Sequence, residues 1–304
     1  MTYAIELREI RKSFGSVRAV DGLSLVVPQG AVYGFLGPNG AGKTTTLRMI
    51  MDIIRPDGGE IRLFNELSSC SVRSRVGYMP EERGLYRKMT AAAVLRYFGS
   101  LKGLSAAQLA QRVPAWLERI DLTGYANKKV EELSRGMHQK LQFAATVIND
   151  PELVILDEPF SGLDPVNQDL LREIITEMRR QGRTVLFSTH GMHEAEQLCD
   201  FIVLINQGKV VVDGTLDQIR SRHESHTISI EIEGDGAFVG TLPQVATARP
   251  DGRRLDVTLR EGADPQELLR ILVERSRVRA FEIKHPSLHE IFVRLVGGGH
   301  VEDR

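Results

Sequence analysis

A chain of 304 residues has room for one large domain or two smaller ones, and 42% hydrophobic with 26% charged residues is a globular composition, neither disordered nor membrane-embedded. The formal net charge of -1 gives no overall pull toward nucleic acid or anionic lipid, so any anion site must be built locally. Cys70 and Cys199, far apart and without ligand spacing, argue against a disulfide scaffold and a zinc site, and no stretch reaches the ~18 apolar residues of a membrane span. The opening MTYAIELREIRKSFG carries charges where a signal peptide needs an apolar core, so the expectation is a chain that is not exported and works in a reducing cytosol.

Alternating apolar residues predict strands over 3–10 and 17–27, and the apolar run 31–36 a third, with Pro28-Gln29-Gly30 as the turn before it. Helix formers follow over 40–51. From about 90 to 148 the period becomes helical, with helices expected over 91–102, 105–119 and 135–148. Ser105 and Gln108 have the spacing of a capping box, and Pro114 should bend or restart its helix because it removes a backbone donor. A buried strand over 153–157, a helix over 166–181, a strand over 184–189, a helix over 193–198 and strands over 201–206 and 209–213 complete an alternation that implies a mostly parallel sheet. Beyond residue 221 the expected elements are strands over 227–233, 254–259 and 278–284 and helices over 265–274 and 287–296, a small α+β appendage with a frayed end over 297–304.

The expected fold is α/β. It has a P-loop NTPase core (mostly parallel sheet, antiparallel N-terminal β part, helical insertion at about 88–150) over 1–220, then a small α+β domain over 221–304.

Two motifs carry chemistry. Gly37-Pro38-Asn39-Gly40-Ala41-Gly42-Lys43-Thr44 stands between a buried strand and a helix and fits the phosphate-loop pattern. Glycines let successive N–H groups curl toward phosphate oxygens, and the helix start adds roughly half a positive charge. Lys43 can reach the β and γ phosphates, Thr44 can take a position on Mg²⁺, and the adjoining Thr45 belongs to the same ATP-binding set. Leu153-Val154-Ile155-Leu156-Asp157-Glu158 ends an apolar strand in two carboxylates. Burying both is expensive unless a cation or substrate uses them. Consecutive strand residues face opposite ways, so Asp157 can hold Mg²⁺ through water while Glu158 polarises an attacking water; the plain alternative is two acids capping a strand in solvent.

With these motifs in place, about the first 215 residues resemble the ATPase subunits of ABC transporters. Leu133-Ser134-Arg135-Gly136-Met137 stands where that family has its LSGGQ signature and is similar to an exporter-like subgroup with LSxGM. The resemblance implies a composite site: Ser134, Arg135, Gly136 and Met137 face the ATP held by a second ATPase subunit, and the pair forms a dimer. Ser134 alone would read as a helix cap, and Arg135 either touches the partner's phosphate or is solvated. Asp164, in Ser161-Gly162-Leu163-Asp164, matches the D-loop that couples the two sites. His190 matches the histidine that contacts the γ-phosphate, although a lone histidine is usually structural. Phe14 matches the aromatic that stacks on adenine, or else is a hydrophobic plug.

In Val76-Gly77-Tyr78-Met79-Pro80-Glu81 a glutamate stands where the family has glutamine, so Glu81 binds the metal or serves the membrane contact. The function implied is ATP hydrolysis, with Lys43, Glu158 and His190 as the catalytic set and Thr44, Asp157 and Glu81 at the metal. That hydrolysis would power transport, in the direction of export, through a separate integral membrane permease at the cytoplasmic face of the cell membrane, with no nucleic acid involved. Soluble ABC ATPases of translation or repair are the alternative, but they carry two ATPase domains or long coiled coils, neither of which is present. A regulator without turnover is a third reading, and the joint presence of Lys43, Asp157, Glu158 and His190 weighs against it. The C-terminal appendage is similar to one on some exporter-type subunits and has no chemistry of its own to assign.

Overall fold

The structure, a computed structural model, describes residues 2–67, 69–82, 84–222, 227–234, 236–260, 262–284 and 286–297. The chain forms two compact units, Met1–Leu216 and Asp217–Arg304.

In chain order the first unit runs β1 (Tyr3–Phe14), β2 (Val17–Pro28), β3 (Val32–Leu36), α1 (Lys43–Ile50), β4 (Gly58–Leu63), β5 (Glu66–Leu67), α2 (Cys70–Arg73) and β6 (Val76–Met79). Three helices follow, α3 (Ala91–Leu101), α4 (Ala106–Arg119) and α5 (Arg135–Val147). The unit closes with β7 (Leu153–Asp157), α6 (Pro165–Arg180), β8 (Thr184–Thr189), α7 (Met192–Leu198), β9 (Phe201–Asn206) and β10 (Lys209–Gly214). The central sheet has the order β10-β9-β3-β8-β7-β6 and is parallel except for its edge strand β10. A second, antiparallel sheet is ordered β2-β1-β4-β5.

The parallel strands are mostly apolar, with polar residues at their ends, because both their faces are covered. Val154 and Leu156 of β7, with Val185 and Phe187 of β8, pack into one core with side chains of α3, α4, α5 and α6. Their sequence neighbours Leu153, Ile155 and Leu186 point the other way, into a core shared with α1, β1 and β2.

Helix starts follow the sequence closely. Thr90 Oγ1 accepts from Ala93 N, Ser105 and Gln108 form both halves of a capping box, Ser134 Oγ accepts from Met137 N, and Asp164 Oδ1 accepts from Asn167 N. That last bond is the main reason the Asp164 carboxyl lies below its ordinary range. Other elements differ from expectation. The helix expected from residue 40 begins at Lys43, because Gly42 is in the left-handed region at φ 102°. The expected restart at Pro114 does not occur: α4 runs unbroken through it. Both Pro114 and Ala110, whose carbonyl loses its donor, are exposed, so water can satisfy that oxygen. Strands β4 and β6 had not been read as strands, the first because Gly58-Gly59 reads as a turn.

The second unit opens with α8 (Leu216–Arg222), then β11 (Thr227–Ile232), β12 (Val245–Asp251), β13 (Arg254–Leu259), α9 (Pro265–Arg275), β14 (Val278–Ile283) and α10 (Leu288–Gly297). Its sheet is antiparallel with order β12-β13-β11-β14, and Ile228, Ile230, Val257 and Leu259 bury against Leu268 and Leu272 of α9. Edge strand β12 carries Pro250 and is mostly exposed, so no alternation marked it beforehand. The expected frayed end beyond Gly297 lies outside the described residues. Among the described residues no helix is long and apolar enough to cross a membrane.

Candidate functional site

The fully buried strand β3 delivers the chain to the glycine loop, and the loop is shaped by its neighbours in space. A side chain at Gly37 would begin 2.3 Å from Ile205 O, and one at Gly42, 2.3 Å from Ala19 O, so β9 and β2 press against the loop where only glycine fits. The loop is pinned further by Gly208 N donating to Ala41 O at 2.9 Å. We expect Gly42→Ala to lose about 2–4 kcal/mol of stability from left-handed strain plus the displaced carbonyl. Thermal unfolding checks it, and an unchanged midpoint would show that the loop is not held by β2.

Beside this loop lies a cavity of about 450 Å³, lined by Ala19, Pro38, Asn39, Gly40, Gly42, Lys43, Thr44, Thr45, Glu81 and Glu158. The volume is within the range of small-molecule sites. Lys43 is buried; its Nζ donates to Gly37 O at 2.6 Å and Pro38 O at 3.2 Å and stands 3.7 Å from Glu158 Oε1. The same Oε1 of Glu158 also meets His190, whose Nδ1 is 3.0 Å away while its ring remains largely exposed.

The acidic pair sits where β7 ends. Asp157 has 0% exposure; Ser188 Oγ donates to its Oδ1 at 2.5 Å, and its Oδ2 has no hydrogen-bond partner. Such an orphaned buried carboxylate oxygen fits a cation held in part through water or phosphate oxygens. Among the described residues no group of three or more His, Cys, Asp or Glu is placed to hold a metal ion, so Asp157 is not part of a closed cage of such residues there. A hard cation that keeps most of its ligands from water and phosphate, such as Mg²⁺, suits this donor set better than one needing three protein carboxylates or imidazoles. Glu158 has φ 51°, a left-handed conformation, and its N–H donates to Ser188 Oγ at 3.1 Å. The half-buried Tyr78 is pushed up to about 12 by desolvation first and the Asp157 carboxylate second.

The structure thus brings Pro38, Asn39, Gly40, Gly42, Lys43, Thr44, Thr45, Glu81 and Glu158 to one cavity, with Gly37 and Ala41 in the loop behind, Asp157 beneath and His190 alongside. Phe14 is not on its wall. That ring is 50% exposed at the end of β1, with Lys12 Nζ 5.7 Å from its centre. The segment Ser134, Arg135, Gly136 and Met137 does not line the cavity either. It packs on the loop before α6: Gly136 is close to Leu163, and Arg135 Nε lies 2.6 Å from where a side chain at Gly162 would begin. Sequence reasoning did not find Ala19 or the holding role of Ser188, which was visible only as part of the segment before His190.

A family model described as "ABC transporter" matches residues 20–161, and one described as "ATP-binding protein DrrA1-3-like, C-terminal domain" matches 214–296. The uncharacterized ABC transporter ATP-binding protein YhaQ of Bacillus subtilis is 41% identical over 297 residues, covering 96% of this chain and 98% of that one. This chain belongs to the ABC transporter ATP-binding family. The Nod factor export ATP-binding protein I of Paraburkholderia xenovorans is 43% identical over 300 residues, 97% of each chain. A solved ATP-binding subunit of an ABC transporter superposes with a TM-score of 0.68 at 31% identity, over 72% of this chain and 93% of that one. The ABC subunit is therefore an ATP-binding ATPase of transporter type, and the translation or repair alternative finds no relative among these.

Proposed function

We propose that this ABC subunit hydrolyses Mg-ATP between two copies of itself and drives export through a separate integral membrane permease, at the cytoplasmic face of the membrane. The observation that carries the reading is the placing of Lys43 Nζ 3.7 Å from Glu158 Oε1 in one cavity, with the glycine loop as its floor. The loop N–H groups and the start of α1 cradle the phosphates, and Lys43 neutralises the charge that develops on them. Thr44, Asp157 and Glu81 would hold magnesium, which when bound would supply further neutralisation of phosphate charge. Glu158 orients the attacking water and accepts its proton, and His190, at hydrogen-bond distance, fixes the direction of that carboxylate. Phe14, exposed at the end of β1, gives adenine a face to stack on.

The second copy supplies Ser134, Gly136 and Met137 at the N-terminal end of α5, whose free N–H groups suit a γ-phosphate, and Asp164 lies at the junction between the two copies. Closure needs ATP because ATP binds the closed pair better than the open one. Export is supported by the LSxGM form of the signature, by the similarity to Nod factor export proteins and by the DrrA1-3-like C-terminal unit. Exposed Tyr86, in the segment from Glu81 to Met89, and Tyr97, packed edge to face on it with ring centres 5.2 Å apart, give the permease an aromatic surface to dock on.

Turnover of ATP by the purified chain with and without magnesium tests the enzyme, and co-purification from detergent-solubilised membranes tests the permease; a chain that comes away alone sinks the transport half. Glu81→Gln is expected to raise the magnesium concentration needed for half-maximal turnover several-fold, since an amide is a weaker ligand than a carboxylate. Unchanged magnesium dependence, measured by titration at fixed ATP, removes Glu81 from the metal.

A further inference from the structure

Helix α5 carries two buried glutamines, Gln139 and Gln142, three residues apart and so on one face. Gln139 Nε2 donates to Glu158 O at 3.3 Å and Pro159 O at 3.1 Å. Gln142 Nε2 donates to Pro80 O at 2.9 Å and Glu82 O at 3.2 Å. Only the NH₂ end of an amide can serve two carbonyls, so the network fixes how both side chains point.

The four carbonyls are not a random set. One pair begins at Glu158 and the other brackets Glu81, and these are the two carboxylates that line the ATP cavity. Glu158 needs such a grip. Its left-handed φ of 51° persists only where the surroundings hold it, and the hold comes from Ser188 on its N–H and Gln139 on its carbonyl. The N-terminal end of the same helix, at Ser134, takes no part in the cavity wall. One helix therefore joins an end outside its own cavity wall to the loops that carry both carboxylates within it.

We propose that Gln139 and Gln142 are positioning residues through which a nucleotide seated against Ser134 by a second copy sets Glu158 and Glu81 in this chain's own site. The inference rests on the two-copy reading above. A small shift of α5 along its axis carries both amides, and the loop carbonyls follow because a buried carbonyl that loses its donor is costly. Each site is thereby readied by the occupancy of the other, in addition to any contact across the junction at Asp164.

Gln139→Met and Gln142→Met keep side-chain length and remove both donors. In the full-length chain, Gln139→Met is expected to leave ATP affinity within about twofold while kcat falls about 10- to 100-fold, the scale of a small misplacement of a reacting group. The Hill coefficient of turnover against ATP should fall toward one, because the coupling between sites is lost. Gln142→Met should do the same to a lesser degree, with a raised magnesium requirement, and carries the test alone should Gln139→Met not fold. A variant that melts earlier yet keeps wild-type kcat and Hill coefficient overturns the inference, as does a loss of ATP affinity in step with kcat. ATP-dependent dimerisation of a Glu158→Gln chain, followed by gel filtration, separates the two failures. If that chain stays monomeric, the two-copy reading has failed; if it dimerises while both glutamine variants turn over normally, that reading stands and this inference alone is lost.

Discussion

Glu158→Gln is expected to cut ATP turnover by about 10²–10⁴-fold, the range for removing a general base, while binding ATP at least as well as wild type. The substitution keeps shape and leaves an oxygen to meet His190, so the geometry around it survives. What goes is the proton acceptor for the attacking water. It also removes a negative charge 3.7 Å from Lys43 in a cavity where both side chains are buried, so a polyanion meets less repulsion there. On the proposed two-copy cycle, in which ATP closes the pair and hydrolysis opens it, the variant should accumulate as a closed dimer, visible by gel filtration with ATP. Turnover near the wild-type rate refutes the assignment of the base.

Lys43→Ala should raise the dissociation constant for ATP by about 100-fold or more, equivalent to losing one or two charge-assisted hydrogen bonds at about 1.5–3 kcal/mol each. Two effects add. The phosphates lose their point charge, and Gly37 O and Pro38 O lose the ammonium that now draws the loop together. Glu158 is also left as an uncompensated buried carboxylate, so stability should fall as well. Calorimetric titration with ATP reads the first effect and thermal unfolding the second. Binding at wild-type strength by the Lys43→Ala chain would sink the phosphate-cradle reading.

Much of this site was legible because its signals are local. The loop from Gly37 to Thr44 announces itself by spacing, and Asp157-Glu158 by ending an apolar run where carboxylates are costly. Capping residues Thr90, Ser105, Ser134 and Asp164 likewise act within a turn of where they stand. What could not be read depends on residues distant in sequence. Nothing in the letters around Gln139 says that its amide will reach Glu158 O, because that contact exists only once α5 is packed on the loop after β7. Ala19 enters the cavity for the same reason. Strands β4 and β12 escaped because glycine or proline and exposed faces blur their alternation, while pairing supplied by β1 and β13 decides them. At Pro114 the local rules allow a bend or a restart, and the restart does not occur because the carbonyl left without a donor, that of Ala110, is open to solvent.

The carbonyls of Ala19 and Ile205 that mould the glycine loop also set a timetable for biosynthesis. β3 sits between β8 and β9, both translated long after it, and Ile205 lies on the later of the two. While a ribosome is still making the first two-thirds of the chain, the phosphate cradle has no finished outer wall. The wall that β9 gives the loop is therefore in place only after β9 has emerged and slotted in beside β3.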